Sequence, residues 1–322
     1  MLKTFMQLLL ALAVGVLAPA AVAQTYPSKG IRVVIAFPPG AAHDLLGRIL
    51  AAEFSKGFAP GSIAENKPGG GTVIATDFVA KSAPDGHTLL MVGFPFPLIN
   101  SMFPSSKLDV LRDFTPVINV MSSPNALIVR GDSRYKTVGE LLAAAKANPG
   151  RVTYASVGNG SSPHLGMELL KSIAGVDILN VPYKGSAPAR TAMLGGEVDV
   201  MFDNLPNVIP GVKAGQLRLL GVTSPARSHL MPEAPTMIES GVPGYVMEIW
   251  FGVAVPAGTP PAAVAALNRE INRIVALPEV KERLERLGLN IVGGSAEGFT
   301  KTIATDVAKW SAVVRDAGIK PQ

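Results

Sequence analysis

The apolar run from Ile31 to Ala36 leads straight into Phe37-Pro38-Pro39-Gly40-Ala41-Ala42-His43-Asp44, and that junction limits the folds open to the chain. Val33, Val34 and Ile35 are β-branched neighbours inside a short apolar stretch, the pattern of a buried strand. Pro38 and Pro39 cannot donate a backbone hydrogen bond, so the ladder stops there. Gly40 permits a tight turn, and Leu45 to Phe54 reads as a helix. The first N–H groups of such a helix lack intrahelical partners, and with the positive end of the helix dipole they suit an anion.

The same unit recurs. Val152 to Ser156 reads as a strand, followed by Gly158-Asn159-Gly160-Ser161-Ser162-Pro163-His164 and a helix from Leu165 to Ile173. Pro163 falls near the first turn, where proline is tolerated. Gly69-Gly70-Gly71-Thr72 opens a helix from Val73 to Ser82 and reads either as a third donor-rich loop or as a flexible turn. Thr88 to Val92 is a strand with Gly93-Phe94-Pro95-Phe96-Pro97 at its carboxyl end, the end at which open α/β sheets bind ligands. Further strands are expected at Asn125–Arg130, Ile178–Val181, Val198–Phe202, Leu217–Val222 and Trp250–Val255. Helices are expected at Leu141–Ala147, Ala189–Leu194, Ala263–Val275, Pro278–Leu287 and Phe299–Ala317. This alternation predicts α/β layers with largely parallel sheets. The chain is expected to cross between two lobes near Asn125 and to return after Val222. That gives residues 24–124 with 223–322 as one lobe and 125–222 as the other.

The N-terminus reads as a targeting segment over residues 1–23. Lys3 supplies the charge, Phe5 to Leu17 the apolar run, and Ala21-Val22-Ala23 the small-x-small cleavage signal. That run is shorter than the roughly 20 residues a spanning helix needs. An exported, periplasmic protein is therefore expected. The chain has no cysteine, which excludes a lipid-anchored start, thiolate catalysis and cysteine metal sites. At 322 residues it can bury a sufficient core without disulfides. Charged residues make up only 16% and are scattered around a net charge of +5, which argues against a nucleic-acid partner.

Several motifs in this order resemble one family. They are Phe37-Pro38-Pro39-Gly40 with Asp44 and Arg48, Asn66-Lys67-Pro68-Gly69, Ala83-Pro84-Asp85-Gly86, Tyr154-Ala155-Ser156 running to His164, and Val181 to Ser186. Val198 to Asn204, Trp250-Phe251-Gly252 and Pro256-Ala257-Gly258-Thr259-Pro260 complete the set. The chain resembles the Bug or TctC-like substrate-binding receptors of the tripartite tricarboxylate transporters over essentially its whole length. The resemblance implies a two-lobed periplasmic binding protein of Venus-flytrap, type II-like architecture. It implies a monomer that closes on a small carboxylate ligand without cofactor or metal and passes it to the transporter's membrane components. A ligand sensor feeding a signalling partner would use the same cleft. Ala41 stands where the family usually has a second glycine, and His43, Phe94 and Pro95 also depart from its usual pattern, which bears on the ligand rather than the class.

The candidate ligand-binding residues are Pro39, Gly40, Ala41, Ala42 and Asp44 in the first loop, Phe94 after the third strand, Ser161, Ser162 and His164 in the second lobe, and Gly185, Ser186 and Asp203 beside them. Asp44 lies in the first helical turn with Arg48 at i+4, a spacing that favours an ion pair and a scaffolding role over ligand contact. Ser161 and Ser162 either cap their helix or face the ligand. His164 either bonds a carboxylate or pins its own loop. His43 is expected to be exposed. A cleft position would make binding pH-sensitive. Phe94 is either core or an aromatic wall of the cleft. A hydrolase is the weaker alternative: Ser162 and His164 suggest one, but no Gly-x-Ser-x-Gly elbow is present. Nor is there a complete dinucleotide fingerprint or a Gly-Lys-Ser/Thr loop, and none of the 4 histidines pairs at zinc-binding spacing.

Overall fold

The structure, a computed structural model, describes residues 26–322, so the leader expected over residues 1–23 lies outside it. In chain order the first elements are β1 (Arg32–Ile35), α1 (Ala42–Glu53), β2 (Ile63–Asn66), α2 (Val73–Ala80), β3 (Thr88–Gly93), α3 (Ile99–Met102) and β4 (Phe114–Arg130). The middle of the chain forms α4 (Val138–Ala147), β5 (Thr153–Ser156), α5 (Ser162–Ala174), β6 (Leu179–Pro182), α6 (Ser186–Gly195), β7 (Val200–Asn204), α7 (Leu205–Lys213) and β8 (Leu217–Val222). The remainder forms β9 (Glu248–Pro256), α8 (Pro261–Val275), α9 (Pro278–Glu285), β10 (Asn290–Ile291) and α10 (Ala296–Asp316).

Two sheets share one strand. The path runs β2-β1-β3-β9-β4-β7-β5-β6, with β10 and β8 also paired to β4. The first part of β4, from Phe114 to Pro124, lies against β9, and Asn125 to Val129 lies against β7. The α/β two-lobed architecture is therefore present, one lobe around each sheet. Period-2 alternation decides which helix each residue meets. Val33 and Ile35 pack with Leu46 and Leu50 of α1, whereas Val34 faces Ala75 and Val79 of α2. In the other lobe Tyr154 and Phe202 pack toward Leu165 and Leu170 of α5, while Ala155 and Met201 meet Ala189 and Met193 of α6.

Three expectations need correction. The sheets are mixed rather than largely parallel. β1 pairs in parallel with β2 and β3, and β5 with β6 and β7, each through a helical crossover. All pairings of β4 and β9 are antiparallel. Apolar patterning reveals strands but not their direction. Second, β4 begins at Phe114 rather than Asn125: Pro116 and Pro124 interrupt the sequence pattern, but the ladder absorbs Pro116 at a register shift before Ile118. Third, α7 was not expected, because Pro206 and Pro210 lie within it; Pro206 occupies the tolerated first turn.

The return to the first sheet is indirect. After β8, Met237 N–H donates to the Val222 carbonyl and Val222 N–H to that of Pro235. Tyr245 Oη donates to the Gly166 carbonyl at 2.8 Å, so this segment stays against the second lobe. Met247 N–H then bonds the Thr223 carbonyl, and β9 starts at Glu248. The two lobes also touch where α10 meets α5.

Candidate functional site

A cavity of about 420 Å3 takes its walls from both sheets. Gly40, Ala41, Ala42, Asp44 and Arg48 contribute from the first loop and α1, and Asn204, Pro206 and Asn207 from the end of β7 and the start of α7. Ser123 of β4 and Ile249 and Phe251 of β9 lie between them, and Leu45, Leu287 and Leu289 add apolar surface. Two other hollows are larger, about 540 and 560 Å3, but neither includes any loop that follows β1, β5, β6 or β7.

The first loop is held open by its own residues. Gly40 has φ +88°, a region that penalises side chains, and it sits on a turn from which α1 starts. The residue preceding α1, Ala41, has no side chain that could cap it, so the helix start carries no side-chain cap. Asp44 is buried and accepts hydrogen bonds from Gly40 N–H (3.0 Å), Arg48 Nε (3.0 Å) and Asn66 Nδ2 (2.8 Å). Asn66 Nδ2 also donates to the Phe37 carbonyl at 3.0 Å, tying both flanks of the prolines together. Burial alone would raise the Asp44 pKa, but the hydrogen bonds from Arg48, Gly40 and Asn66 outweigh it and bring it down to about 2. Asp44 is thus an ionised brace for the loop, as its spacing from Arg48 suggested.

His43 is buried, not exposed. Its ring stacks on Phe37 (centroids 3.6 Å apart) and tilts against Phe251 at 4.4 Å. A Cβ on Gly93 would collide with the imidazole, so the position after β3 has to stay small. Its Nε2 has no hydrogen-bond partner, and burial pushes its pKa down to about 3. No local pattern signals this burial, because Phe251 lies some 200 residues downstream of His43.

The second glycine loop closes on itself. Ser161 precedes α5 and caps it, its Oγ accepting from His164 N–H at 3.4 Å and donating to the Gly158 carbonyl at 2.7 Å. His164 Nδ1 accepts from Gly160 N–H at 3.2 Å, so His164 pins its loop. Burial lowers its pKa. Ser162 is the first residue of α5. Asp203, 1% exposed, accepts from Ser186 Oγ (3.1 Å), Arg190 Nη1 (2.9 Å), Asn204 N–H (2.8 Å) and Asn207 Nδ2 (3.4 Å). Gly185, which precedes α6, leaves that helix without a side-chain cap. Phe94 is a correction: it is 4% exposed, and its ring meets the buried Trp310 indole edge-on at 5.2 Å, so it serves the core rather than the cleft.

Of the residues singled out from sequence, Gly40, Ala41, Ala42 and Asp44 come together on the cavity. Pro39, Ser161, Ser162, His164, Gly185, Ser186 and Asp203 do not line it. Sequence reasoning missed Ser123 and Asn207, which depend on the unrecognised extension of β4 and on α7, and Asn204 and Phe251, which lie on strands it did expect. It also missed Arg190, whose partner is 13 residues away. No spacing rule reveals that distance.

Two sheets sharing a strand, with a cavity between their loops, define a two-lobed binding protein. The tripartite tricarboxylate transporter family receptor model matches residues 46–319, and the chain belongs to that family, whose members are periplasmic solute-binding receptors. It is 37% identical over 308 residues to protein BugT of Bordetella pertussis, covering 95% of this chain and 94% of that one. A structure of Rpa4515 from R. palustris with adipate is 33% identical, with TM-score 0.74, and covers 92% of this chain and 100% of that one. MatC from Rhodopseudomonas palustris with bound malate is 29% identical, with TM-score 0.71, and covers 90% and 100%. Among the described residues no helix is long and apolar enough to cross a membrane.

Proposed function

We propose that this receptor closes its lobes on a small carboxylate and delivers it to the membrane components of a tripartite tricarboxylate transporter. The observation that carries the reading is the uncapped start of α1, which opens on a cavity that the second sheet completes. Main-chain donors of the first turn of α1, at Ala42, His43 and Asp44, hold the ligand, and Asp44, by accepting the Gly40 N–H, braces the loop in front of them. Hydrogen bonds to a charged group contribute about 1.5–3 kcal/mol each and a helix end about 0.3–1 kcal/mol. These donors, with further ones supplied by the facing lobe, offset the cost of ordering and leave the ~8 kcal/mol of a micromolar complex. The adipate-bound and malate-bound relatives support the ligand class.

The same proposal has residues 1–23 removed on export, a single copy as the working unit, and binding without catalysis. The packing of Thr236, Met237 and Tyr245 on the second lobe supports a division into 26–124 with 248–322 and 125–247. Titration calorimetry of the exported protein against dicarboxylates, tricarboxylates, aromatic carboxylates and amino acids is expected to reveal at least one micromolar carboxylate ligand. Silence from every carboxylate ends this reading. Loss of uptake of that ligand in cells lacking the receptor separates transport from sensing.

A further inference from the structure

We propose that the strip Leu287-Gly288-Leu289 is a latch: it is the part of the first lobe that seats on the start of α7 when the lobes close, and Gly288 is the residue that lets it seat. This rests on the carboxylate capture proposed above. The strip belongs to the first lobe. It joins α9, whose Val280 and Leu284 pack with Ile274 of α8, to β10, which pairs with Met121 and Ser122 of β4. What it touches belongs to the second lobe. A Cβ built on Gly288 would collide with Pro206 Cγ and stand 2.9 Å from Pro206 Cβ and 3.0 Å from Leu230 Cδ1. Pro206 lies in the first turn of α7, and Leu230 packs on the core of the second sheet.

A glycine suits the end of α9 in any case. Gly288 has φ +74°, its N–H bonds the Glu285 carbonyl, and Leu289 N–H bonds that of Leu284, the left-handed turn that ends many helices. That turn does not account for the crowding. Gly175 ends α5 in the same way, at φ +63° with Val176 N–H on the Lys171 carbonyl, yet no heavy atom lies within 4 Å of its Cβ position. Gly288 therefore meets a second demand, close approach across the lobes. The place of that approach gives it a consequence. Leu287 and Leu289 line the ligand cavity together with Pro206 and Asn207, so the seam between strip and α7 is a seam in the cavity wall. On the other side Glu285 and Asn290 border the hollow of about 540 Å3, which reaches His229 of the second lobe. The strip is a wall with open space on both sides, and parting at Gly288 opens the ligand cavity toward that hollow.

Gly288→Ala and Gly175→Ala carry the same strain of a left-handed helix end, and only the first meets the facing lobe. The ligand-free melting temperatures of the two should fall alike. With adipate or malate as the probe, Gly288→Ala is expected to lose at least about tenfold in affinity by calorimetry, because the added methyl holds the lobes apart. Gly175→Ala should stay within about twofold of wild type. Equal affinities in the two variants overturn the latch. A second measurement serves even if Gly288→Ala fails to fold. The chain has no cysteine, so Pro206→Cys combined with Gly288→Cys supplies a single thiol pair. Cβ atoms in a disulfide stand about 3.5–4.5 Å apart, a spacing the strip reaches by yielding roughly 1 Å. Adipate or malate bound before oxidation by copper phenanthroline should survive dialysis and leave on reduction. Oxidised protein that exchanges the probe at the wild-type rate overturns the latch, and so does a pair that never oxidises, with or without the probe. If wild type binds neither acid and no other carboxylate, it is the carboxylate reading that falls, and oxidation of the pair still decides the latch.

Discussion

At the scale of single residues the sharpest consequence concerns His43. Its pKa falls from the ordinary 6.5 to about 3, so it stays neutral in the folded protein at any pH where the protein works. Ligand affinity is therefore expected to be flat from near neutrality down to mild acidity as far as His43 is concerned, contrary to what a cleft histidine suggests. Stability behaves differently. Between pH 6.5 and 3 the unfolded chain protonates this histidine and the folded chain does not, so stability falls as pH drops through that window. One such group contributes a slope of up to about 1.4 kcal/mol per pH unit. Asp44, with its pKa lowered to about 2 from 3.8, loses its contribution only at lower pH. His43→Phe, which can keep the stack, should flatten the acid limb of a denaturation-midpoint profile above pH 4 by about that slope. An unchanged slope would count against a neutral buried imidazole. A second residue test addresses Gly40. No heavy atom lies within 4 Å of a Cβ built there, so Gly40→Val is opposed by its positive φ and not by crowding. The strain of a β-branched residue is about 1–3 kcal/mol, and carboxylate affinity should drop at least about tenfold while the fold persists. Native circular dichroism with unaltered affinity would remove the loop from the site. Asp44 was legible because its partner is one helical turn away. His43 was not, because its burial depends on β9.

At the scale of elements the two glycine loops look alike in sequence and differ in the fold. The start of α1 has only Ala41 to cap it, whereas α5 has Ser161, and His164 fills the next donor in the same loop. Both sequences contain a strand, glycine and the first turn of a helix, so periodicity alone could not separate an open helix end from a closed one. The decisive atoms are a methyl group in one case and a hydroxyl in the other. Ser161→Ala should cost about 1 kcal/mol of stability, as lost caps do. It should leave carboxylate affinity within about twofold, since Ser161 spends both hydrogen bonds within its own loop. Calorimetry showing a tenfold loss would return this loop to the cleft. Strand and helix positions were otherwise readable to within a few residues, because each apolar face keeps its period. The short β2, α3 and β10 escaped, and so did two longer stretches, the first half of β4 and all of α7, which carry prolines. Those prolines are tolerated through a register shift and a first-turn position, which only the partner strand and the start of the helix reveal.

At the scale of the whole molecule, the proposed capture of a ligand requires two lobes that share a strand to move relative to one another. β4 runs unbroken from one sheet to the other, and Asn125 stands at the passage. There its N–H donates to Thr223 Oγ1 at 2.8 Å, and its carbonyl accepts from that hydroxyl at 3.1 Å and from the Thr223 N–H. Thr223 in turn accepts from Met247 N–H where the chain goes back. One hydroxyl therefore stitches the outgoing and returning crossings together in a fully buried position. Thr223→Val keeps the shape and removes that hydroxyl, leaving the Asn125 N–H buried without an acceptor. The expected cost is about 1–3 kcal/mol in unfolding free energy. Because the lost bond lies at the junction and not in either core, the spread of lobe orientations should also widen. Small-angle scattering is expected to show a smaller radius of gyration when wild-type protein is saturated with its carboxylate. The ligand-free variant should show a larger radius than ligand-free wild type, and saturating ligand should bring the two together. A stability loss with identical scattering would make Thr223 an ordinary core hydrogen bond, and no change in wild-type radius on saturation would remove lobe closure from the mechanism.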